Sequence, residues 1–356
     1  MSKCQGCGAL FQTTHPKHPG YRLDETHTLC VRCFQLRHYN RPFELEEAAV
    51  LRVIPSDALG VVILDLFDLE VAFLSRLPRY FSGEFILVVN KVDLFPDSMN
   101  SSKTKEYLRM LAREYGLKPL DVLVVSAANG DGVDELIDTL NRFLHDEIYL
   151  LGPTNSGKSS LLNQLLRRLD VVHEVTVSPF ANTTLDHIGI QLDNVMIYDT
   201  PGLTRDRHIH HYLTTSLKDI IPTKQLKPQT IQLTKPGVIF MGGFARFDFD
   251  HTNGVSFFVA PKIVLHKTTQ EKADGFFQTH RFTTLQHPSV EEVSLLGAWV
   301  FDTIRVESDE DLVMEGLGFV RLAVTATVII HHYANVQVYV RPSVFRRATH
   351  GNKTHR

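Results

Sequence analysis

The sequence contains no long apolar run, only four cysteines and little net charge. A membrane-spanning helix needs about 20 consecutive apolar residues. The best candidates, residues 61–66 and 320–330, are interrupted by Asp65 and by Arg321. We therefore expect no membrane span. The amino-terminal residues have neither the apolar core of a secretion signal nor the arginine-rich character of a transit peptide, so we expect a cytoplasmic location.

The small net charge of -3 excludes a general positive field that would attract nucleic acid. Any contact with RNA must therefore be local, for example at the basic carboxyl end, which could equally serve solubility. There is no internal repeat or low-complexity segment. A length of 356 residues exceeds one comfortable core, and we predict three domains, with 1–44, 45–220 and 221–356 as their bounds. We expect a monomer.

The central domain alternates short apolar runs with amphipathic stretches, which is typical of buried parallel strands and helices in a doubly wound α/β domain. The runs are residues 61–64, 85–89, 122–125, 148–151 and 195–198, and the helical stretches are 103–115 and 133–143. Beyond a predicted linker at 222–236, β-branched and aromatic residues alternate and predict a strand-rich α+β domain. Its aromatic residues could stack RNA bases, but a β core is the favoured interpretation.

A phosphate-binding loop is predicted between the fourth apolar run and a helix. Gly152 and the Gly157-Lys158-Ser159 triplet match the spacing of a P-loop, whose backbone N–H groups and helix amino terminus bind phosphate oxygens. Lys158 would reach the β- and γ-phosphates, and the Ser159 hydroxyl would bind Mg²⁺. The residues that we assign to nucleotide binding here are Gly152, Asn155, Ser156, Gly157, Lys158, Ser159 and Ser160.

Two loops that follow strands predict selection of guanine. In Asn90-Lys91-Val92-Asp93, the carboxylate of Asp93 can accept hydrogen bonds from the guanine N1–H and amine, which adenine cannot supply. Asn90 would tie neighbouring loops together, and the Lys91 stem would cover the base. The second loop, Ser126-Ala127-Ala128, resembles a loop whose backbone N–H meets the guanine O6, with Ala128 where lysine is usual. GTP and GDP are therefore the expected ligands.

A third element, Asp199-Thr200-Pro201-Gly202, matches the motif that senses the γ-phosphate. Asp199 would hold Mg²⁺ and the Gly202 N–H would bind the γ-phosphate. Either Thr183 or Thr184 would supply a second hydroxyl to the metal, and we favour Thr184. We assign catalysis to Lys158, Thr184 and Gly202. The residue after Gly202 is Leu203, so no glutamine at that position can orient water.

All four cysteines lie near the amino terminus, in the pairs Cys4-x-x-Cys7 and Cys30-x-x-Cys33. Four thiolates in two such pairs can bind tetrahedral Zn²⁺ and can stabilise a segment that lacks a core. Redox pairs usually occur singly at the start of a helix. We therefore favour a zinc module over disulfide chemistry.

With these motifs in the order base loops, phosphate loop and switch elements, the chain resembles the YqeH family of circularly permuted GTPases. The resemblance spans nearly the whole chain and implies a circularly permuted P-loop GTPase domain between a zinc module and the carboxyl-terminal domain. It further implies a role in assembly of the small ribosomal subunit, with ribosomal RNA or a precursor particle as partner. The residues that carry over are Asn90, Lys91, Asp93, Gly152, Asn155, Lys158, Ser159, Thr184, Asp199 and Gly202.

Two details qualify this resemblance. Related GTPases use the residue at Asn155 to help bind K⁺, so we hypothesise that hydrolysis is stimulated by potassium. The family usually has Pro-Gly before the two threonines, where this chain has Ala181-Asn182. Two alternatives stay open: an RNA- or protein-binding adaptor that holds GTP structurally without hydrolysing it, and a metabolic P-loop kinase, against which the Asn90-to-Asp93 motif argues.

Overall fold

The computed structural model describes Cys4 and residues 10–14, 20–24, 28–31, 54–69, 71–79, 81–169, 188–192, 195–200 and 208–345. Two compact units divide the chain. Residues 1–92 and 108–205 form the first unit, and residues 93–107 and 206–356 form the second. Within the described ranges, no helix is both long enough and apolar enough to cross a membrane.

The first unit is built on buried strands that alternate with helices. All seven residues of the first strand and all six of the second are buried. This fits their unbroken apolar sequences, because a parallel strand is covered on both faces. The elements are β1 Leu59–Asp65, α1 Val71–Arg76, β2 Phe85–Asn90, α2 Ser101–Glu114, β3 Val122–Val124, α3 Val133–Phe143, β4 Glu147–Leu151, α4 Lys158–Arg168, β5 Ile188–Leu192 and β6 Val195–Asp199. The first half of α2, up to Tyr107, is assigned to the second unit.

Among the described residues these strands form a six-stranded sheet in the order β3-β2-β1-β4-β6-β5. Neighbouring strands are parallel except for the antiparallel β5 and β6. The five predicted apolar runs correspond to β1, β2, β3, β4 and β6, and the two predicted helices correspond to α2 and α3, so these predictions are confirmed. In a parallel sheet the carboxyl ends of the strands meet at one edge. Three of the predicted site loops follow β2, β3 and β4 directly.

The second unit is a strand-rich domain of two antiparallel sheets. The elements are α5 Leu217–Ile220, β7 Gln229–Leu233, β8 Gly237–Met241, β9 Ala245–Phe249, β10 Asn253–Val259, β11 Leu265–Thr268, α6 Gln270–His280, α7 Val290–Leu296, β12 Trp299–Val306, β13 Glu310–Met314, β14 Gly318–Leu322, β15 Ala326–Tyr333 and β16 Val338–Pro342. Among the described residues the strand orders of the two sheets are β16-β13-β14-β10-β7 and β11-β8-β9-β15-β12.

One core joins the two sheets of this domain. Phe247 of β9 and Phe257 of β10 are fully buried and meet edge to face with ring centroids 5.5 Å apart. Alternating residues of both sheets fill the same cluster, which is the pattern of a β-sandwich. The aromatic alternation of this domain therefore builds its core at these two positions, as the favoured interpretation of the sequence held.

Two details of this domain differ from the sequence prediction. The predicted linker at 222–236 is wrong in part, because it contains β7, which pairs with β10. The alternating residues 319–330 divide between β14 and β15 in different sheets. Asn253 fixes the turn between them, since its side-chain amide donates to the Val324 carbonyl and its oxygen accepts from the Val324 N–H. Pairing between distant strands, which no local pattern encodes, accounts for both differences.

A short segment after the guanine motif also belongs to the second unit. Phe95 is buried and stacks against Phe319 with ring centroids 5.8 Å apart. The Leu226 N–H donates to the Leu94 carbonyl at 2.8 Å, and the Asn100 N–H donates to the Val344 carbonyl at 2.8 Å. The residues that follow Asp93 are thus held by the carboxyl-terminal domain.

Candidate nucleotide-binding site

The loop between β4 and α4 requires glycine at two positions. Gly152 and Gly157 have φ angles of 152° and 92°, which are unfavourable for other residues. A Cβ atom at Gly152 would lie 2.2 Å from the Ile63 carbonyl oxygen, and a Cβ atom at Gly157 would lie 2.2 Å from Asn90 Nδ2. Both glycines therefore permit close packing of the loop against neighbouring strands. The loop leads directly into the amino end of α4, and the first N–H groups of a helix can bind phosphate oxygens.

Lys158 is the first residue of α4 and its side chain returns to the loop. Its Nζ donates to the Gly152 carbonyl at 2.9 Å and to the Pro153 carbonyl at 3.0 Å. The residue is only 6% exposed, so a buried ammonium group is held beside the loop. Phosphate oxygens would compete for the same ammonium protons, because a charged acceptor forms a stronger bond than a neutral carbonyl.

Asn90 connects the guanine motif to two other loops. Its Nδ2 donates to the Ser156 carbonyl in the phosphate loop at 3.0 Å. Its Oδ1 accepts from the Ala127 N–H at 2.9 Å and from the Lys91 N–H at 2.8 Å. Asn90 is 1% exposed, so each of these bonds is protected from water. One side chain thus joins three loops that lie far apart in the sequence.

The second base loop is closed on itself by Ser126. The Ser126 Oγ accepts from the N–H groups of Ala128 and Asn129, each at 3.2 Å. Since the Ala127 N–H is bonded to Asn90, that donor serves to assemble the loops. The adjacent N–H groups of Ala128 and Asn129 make longer bonds and are the more readily available donors for a ligand.

Lys91 is fixed at both its backbone and its ammonium group. Its φ angle of 68° is left-handed, and the Asn90 side chain accepts its N–H. Its Nζ lies 2.6 Å from Oδ2 of Asp65. Asp65 ends β1 and pairs in register with Asn90. In the sequence, Asp65 was evident only as an interruption of an apolar run. The signal that could have identified its role is its position at the end of the strand beside β2.

Asp199 ends β6 and contacts the phosphate-loop serine. The Ser159 hydroxyl donates to Asp199 Oδ2 at 2.7 Å, and Asp199 Oδ1 has no hydrogen-bond partner within the described part of the chain. The pKa of Asp199 is raised, because the effect of desolvation exceeds the opposing effects of the Lys158 charge and the Ser159 hydrogen bond. The motif gave no role to the next residue, Thr200. Its hydroxyl donates to the Leu150 carbonyl at 2.6 Å and fixes the element against β4.

The remaining predicted nucleotide residues are placed as follows. Asp93 lies in a 3-10 helix, Val92–Leu94, directly after Lys91. Asn155 and Ser160 are exposed, whereas Ser156 is fully buried. Asn155 has a left-handed φ of 66°. Thr183, Thr184, Gly202 and Leu203 lie outside the described residues.

Half of the predicted zinc ligands can be placed. Cys4 and Cys30 are both buried, and the Cys30 N–H donates to the Cys4 sulfur at 3.1 Å. Backbone N–H groups commonly bond the sulfur ligands of metal sites, so this contact brings together one cysteine from each pair. Cys7 and Cys33 lie outside the described residues.

A phosphate loop after a central parallel strand, tied by Asn90 to an Asn-Lys-x-Asp motif two strands away, defines a P-loop GTPase domain. In this chain the base motifs precede the phosphate loop. Residues 147–232 match the family model described as "50S ribosome-binding GTPase", and residues 252–344 match the model described as "YqeH-like, C-terminal".

Comparison with similar proteins identifies the family within the P-loop GTPases. The chain is 33% identical over 361 residues to the uncharacterized protein YqeH of Bacillus subtilis, and the match covers 96% of this chain and 98% of that protein. The chain belongs to the YqeH family and binds GTP. It is also 25% identical to nitric oxide-associated protein 1 of mouse, over 78% of this chain and 64% of that protein.

A solved structure, YjeQ from Thermotoga maritima, matches 41% of this chain and 48% of its own chain. The sequence identity is 23% and the TM-score is 0.28. That likeness is too slight to support an argument about the fold.

Proposed function

We propose that this protein hydrolyses GTP to GDP and phosphate, and that the hydrolysis acts as a switch during assembly of the small ribosomal subunit. The observation that supports this proposal best is the Asn90 side chain, which bonds the phosphate loop and the second base loop at the same time. The permuted motifs are thereby assembled into one arrangement at the carboxyl edge of the sheet.

The phosphate tail would bind to the loop between Gly152 and Ser159. In this proposal the backbone N–H groups and the amino end of α4 hold the phosphates. Lys158 exchanges the Gly152 and Pro153 carbonyls for phosphate oxygens and neutralises part of their charge. Its buried position means that its charge acts at low local dielectric and is weakly screened.

Magnesium fits the polar groups beside this loop. The Ser159 hydroxyl and Asp199 Oδ2 lie 2.7 Å apart, and Asp199 Oδ1 has no hydrogen-bond partner among the described residues. A hydroxyl and a carboxylate are ligands that Mg²⁺ prefers. When bound, the ion would neutralise charge on the β- and γ-phosphates. We assign the further hydroxyl ligand to Thr184 and the γ-phosphate contact to the Gly202 N–H.

Guanine selection is assigned to the loops after β2 and β3. Asp93 would accept from the base N1–H and amine, the Lys91 stem would cover the base, and an N–H of the loop that begins at Ser126 would meet O6. ATP would be excluded because adenine presents an acceptor at N1 and no amine at C2, so it offers the Asp93 carboxylate neither of these donors.

A zinc module and a potassium ion complete the proposed cofactors. Zn²⁺ would bind Cys4, Cys7, Cys30 and Cys33, in support of which Cys4 and Cys30 are buried and in contact. K⁺ would bind near Asn155 and would neutralise charge that develops on the phosphates, as an arginine finger does.

The test is steady-state hydrolysis of GTP with Mg²⁺, in the presence and absence of isolated small and large ribosomal subunits. We expect Lys158→Ala to lower kcat/KM by at least about 100-fold, because a charge that contacts the transferred phosphate is lost. Lys118→Ala is the control, since Lys118 is an exposed lysine in the same unit. The wild-type rate should rise with the small subunit. Stimulation by the large subunit alone would contradict the assigned partner.

A second candidate function is an adaptor that binds GTP without hydrolysing it. Leu203 in place of a water-orienting glutamine favours this alternative. A single-turnover experiment with Mg²⁺ and K⁺ distinguishes the two functions. Product formation that stays at the uncatalysed rate with and without small subunits would support the adaptor.

A further inference from the structure

Asp65 lies in the strand between the base loop and the phosphate loop. It ends β1, which is flanked by β2 with the guanine motif and by β4, from which the phosphate loop begins. Its side chain is only 7% exposed. A carboxylate at that depth needs a partner, because burial of an unpaired charge is costly.

The two oxygens of Asp65 have different partners. Oδ1 accepts the Phe67 N–H at 2.9 Å, which holds the chain as it leaves β1. Oδ2 accepts the Lys91 ammonium at 2.6 Å. Lys91 is 27% exposed at its side chain, so a part of it remains open to a ligand while its ammonium group is held.

We infer that Asp65 is a positioning residue for guanine binding, which it supports by holding the Lys91 side chain in place over the base. This inference rests on the proposed function. A lysine side chain has considerable rotational freedom, and restricting it before the ligand arrives removes part of the entropy cost of binding. The left-handed backbone at Lys91 and the Asp65 contact together fix both ends of that side chain.

The substitution Asp65→Asn tests the inference closely. Asparagine keeps the size and the oxygen that accepts the Phe67 N–H. Its amide NH2 would face the Lys91 ammonium, so two donors would oppose each other and the lysine would be released. We expect the KM for GTP to rise about tenfold and kcat to change by less than about twofold, because Lys91 contacts the base and not the transferred phosphate.

A double-variant experiment separates positioning from a general structural role. Lys91→Met keeps the aliphatic stem and removes the ammonium group. In the Lys91→Met background, Asp65→Asn should cause no further loss of GDP affinity, because the interaction that it breaks is already absent. Asp121→Asn is the matched control. It removes a partly exposed carboxylate that lies directly before β3, at the end of that strand away from the second base loop.

The outcomes are distinguishable. If wild-type protein binds fluorescent GDP but Asp65→Asn binds it equally well, the inference about Asp65 is wrong and the proposed function stands. The same conclusion follows if Asp65→Asn weakens binding equally with Lys91 and with Met at position 91. If wild-type protein hydrolyses no GTP, the proposed function itself fails.

Discussion

Glu292 provides a prediction about the segment that follows the Asp199-to-Gly202 element. Glu292 is 1% exposed, and its carboxylate accepts four hydrogen bonds. Oε1 accepts the N–H groups of Thr214 and Ser216 at 2.8 and 2.9 Å. Oε2 accepts the Ser216 hydroxyl at 2.6 Å and the Ser289 N–H at 2.8 Å. Glu292 thereby attaches residues 214–216 to the amino end of α7.

The contribution of Glu292 to folding stability follows from the pKa of its carboxylate. Burial alone would raise the pKa of Glu292, but the hydrogen bonds from Ser216, Ser289 and Thr214 outweigh burial and lower the pKa from 4.5 to about 2. A decrease of that size corresponds to roughly 3 kcal/mol of folding free energy at neutral pH. Because the pKa is lowered by folding, this stability is present above about pH 4.5 and is lost as the pH falls toward 2.

The substitution Glu292→Gln tests this contribution to stability. Glutamine retains one acceptor oxygen, but its NH2 group must face two of the four donors. We expect a loss of about 2–4 kcal/mol in the free energy of unfolding at pH 7, where buried donors are left unpaired. Urea unfolding can be followed by tryptophan fluorescence, because the only tryptophan of the sequence, Trp299, lies in β12 of the same unit. The control is Glu291→Gln, which changes an exposed neighbour.

The pH dependence makes this experiment specific. The difference between wild-type and Glu292→Gln protein should fall to about half or less between pH 7 and pH 3. At pH 3 Glu292 is protonated in the unfolded chain but still largely ionised in the folded protein, so folding must release a proton and the wild type loses part of its advantage. The control variant should cost less than about 1 kcal/mol. A cost for Glu292→Gln no greater than that of the control, or a difference that is the same at both pH values, would show that the Glu292 carboxylate does not stabilise this unit through its charge.

Three further predictions concern the nucleotide and metal sites. Gly157→Ala should weaken GDP binding at least about 100-fold, because its Cβ would lie 2.2 Å from Asn90 Nδ2 in a left-handed backbone. The control is Gly275→Ala, where a Cβ meets nothing within 4 Å, and it should leave GDP affinity unchanged. Equal GDP affinity of the two variants would contradict the loop geometry. Purified protein should release about one zinc ion per chain on thiol modification, measured with a chromogenic chelator, and Cys4→Ser should abolish this release; a metal-free protein with normal stability would contradict the zinc module. Turnover in KCl should exceed turnover in NaCl of equal ionic strength several-fold, and equal rates would exclude a role for potassium.

The first unit was largely predictable from its sequence. Buried parallel strands are continuous apolar runs, and the loops after them carry the chemistry, so local pattern identified β2 and the motif that follows it. Gly152 and Gly157 also belong to a short motif with fixed spacing, and the structure shows why both must be glycine.

Features that join distant residues were not predictable. Asp65 lies 26 positions before Lys91, and a charged residue at a strand end has no pattern that names its partner. Ser216 and Glu292 are 76 positions apart. The strand β7 was missed because its apolar residues alternate only weakly and its place is set by pairing with β10.

In the proposed site, the Asn90-to-Asp93 motif and the phosphate loop bind one guanine nucleotide despite their permuted order. The most direct measurement compares GTP and xanthosine triphosphate binding to wild-type protein and to Asp93→Asn. An asparagine can accept the xanthine N1–H and donate to its O2, whereas it cannot replace the carboxylate opposite guanine. We expect Asp93→Asn to lose GTP affinity by at least about 100-fold and to gain affinity for xanthosine triphosphate. Unchanged preference for GTP in Asp93→Asn would contradict the proposed site.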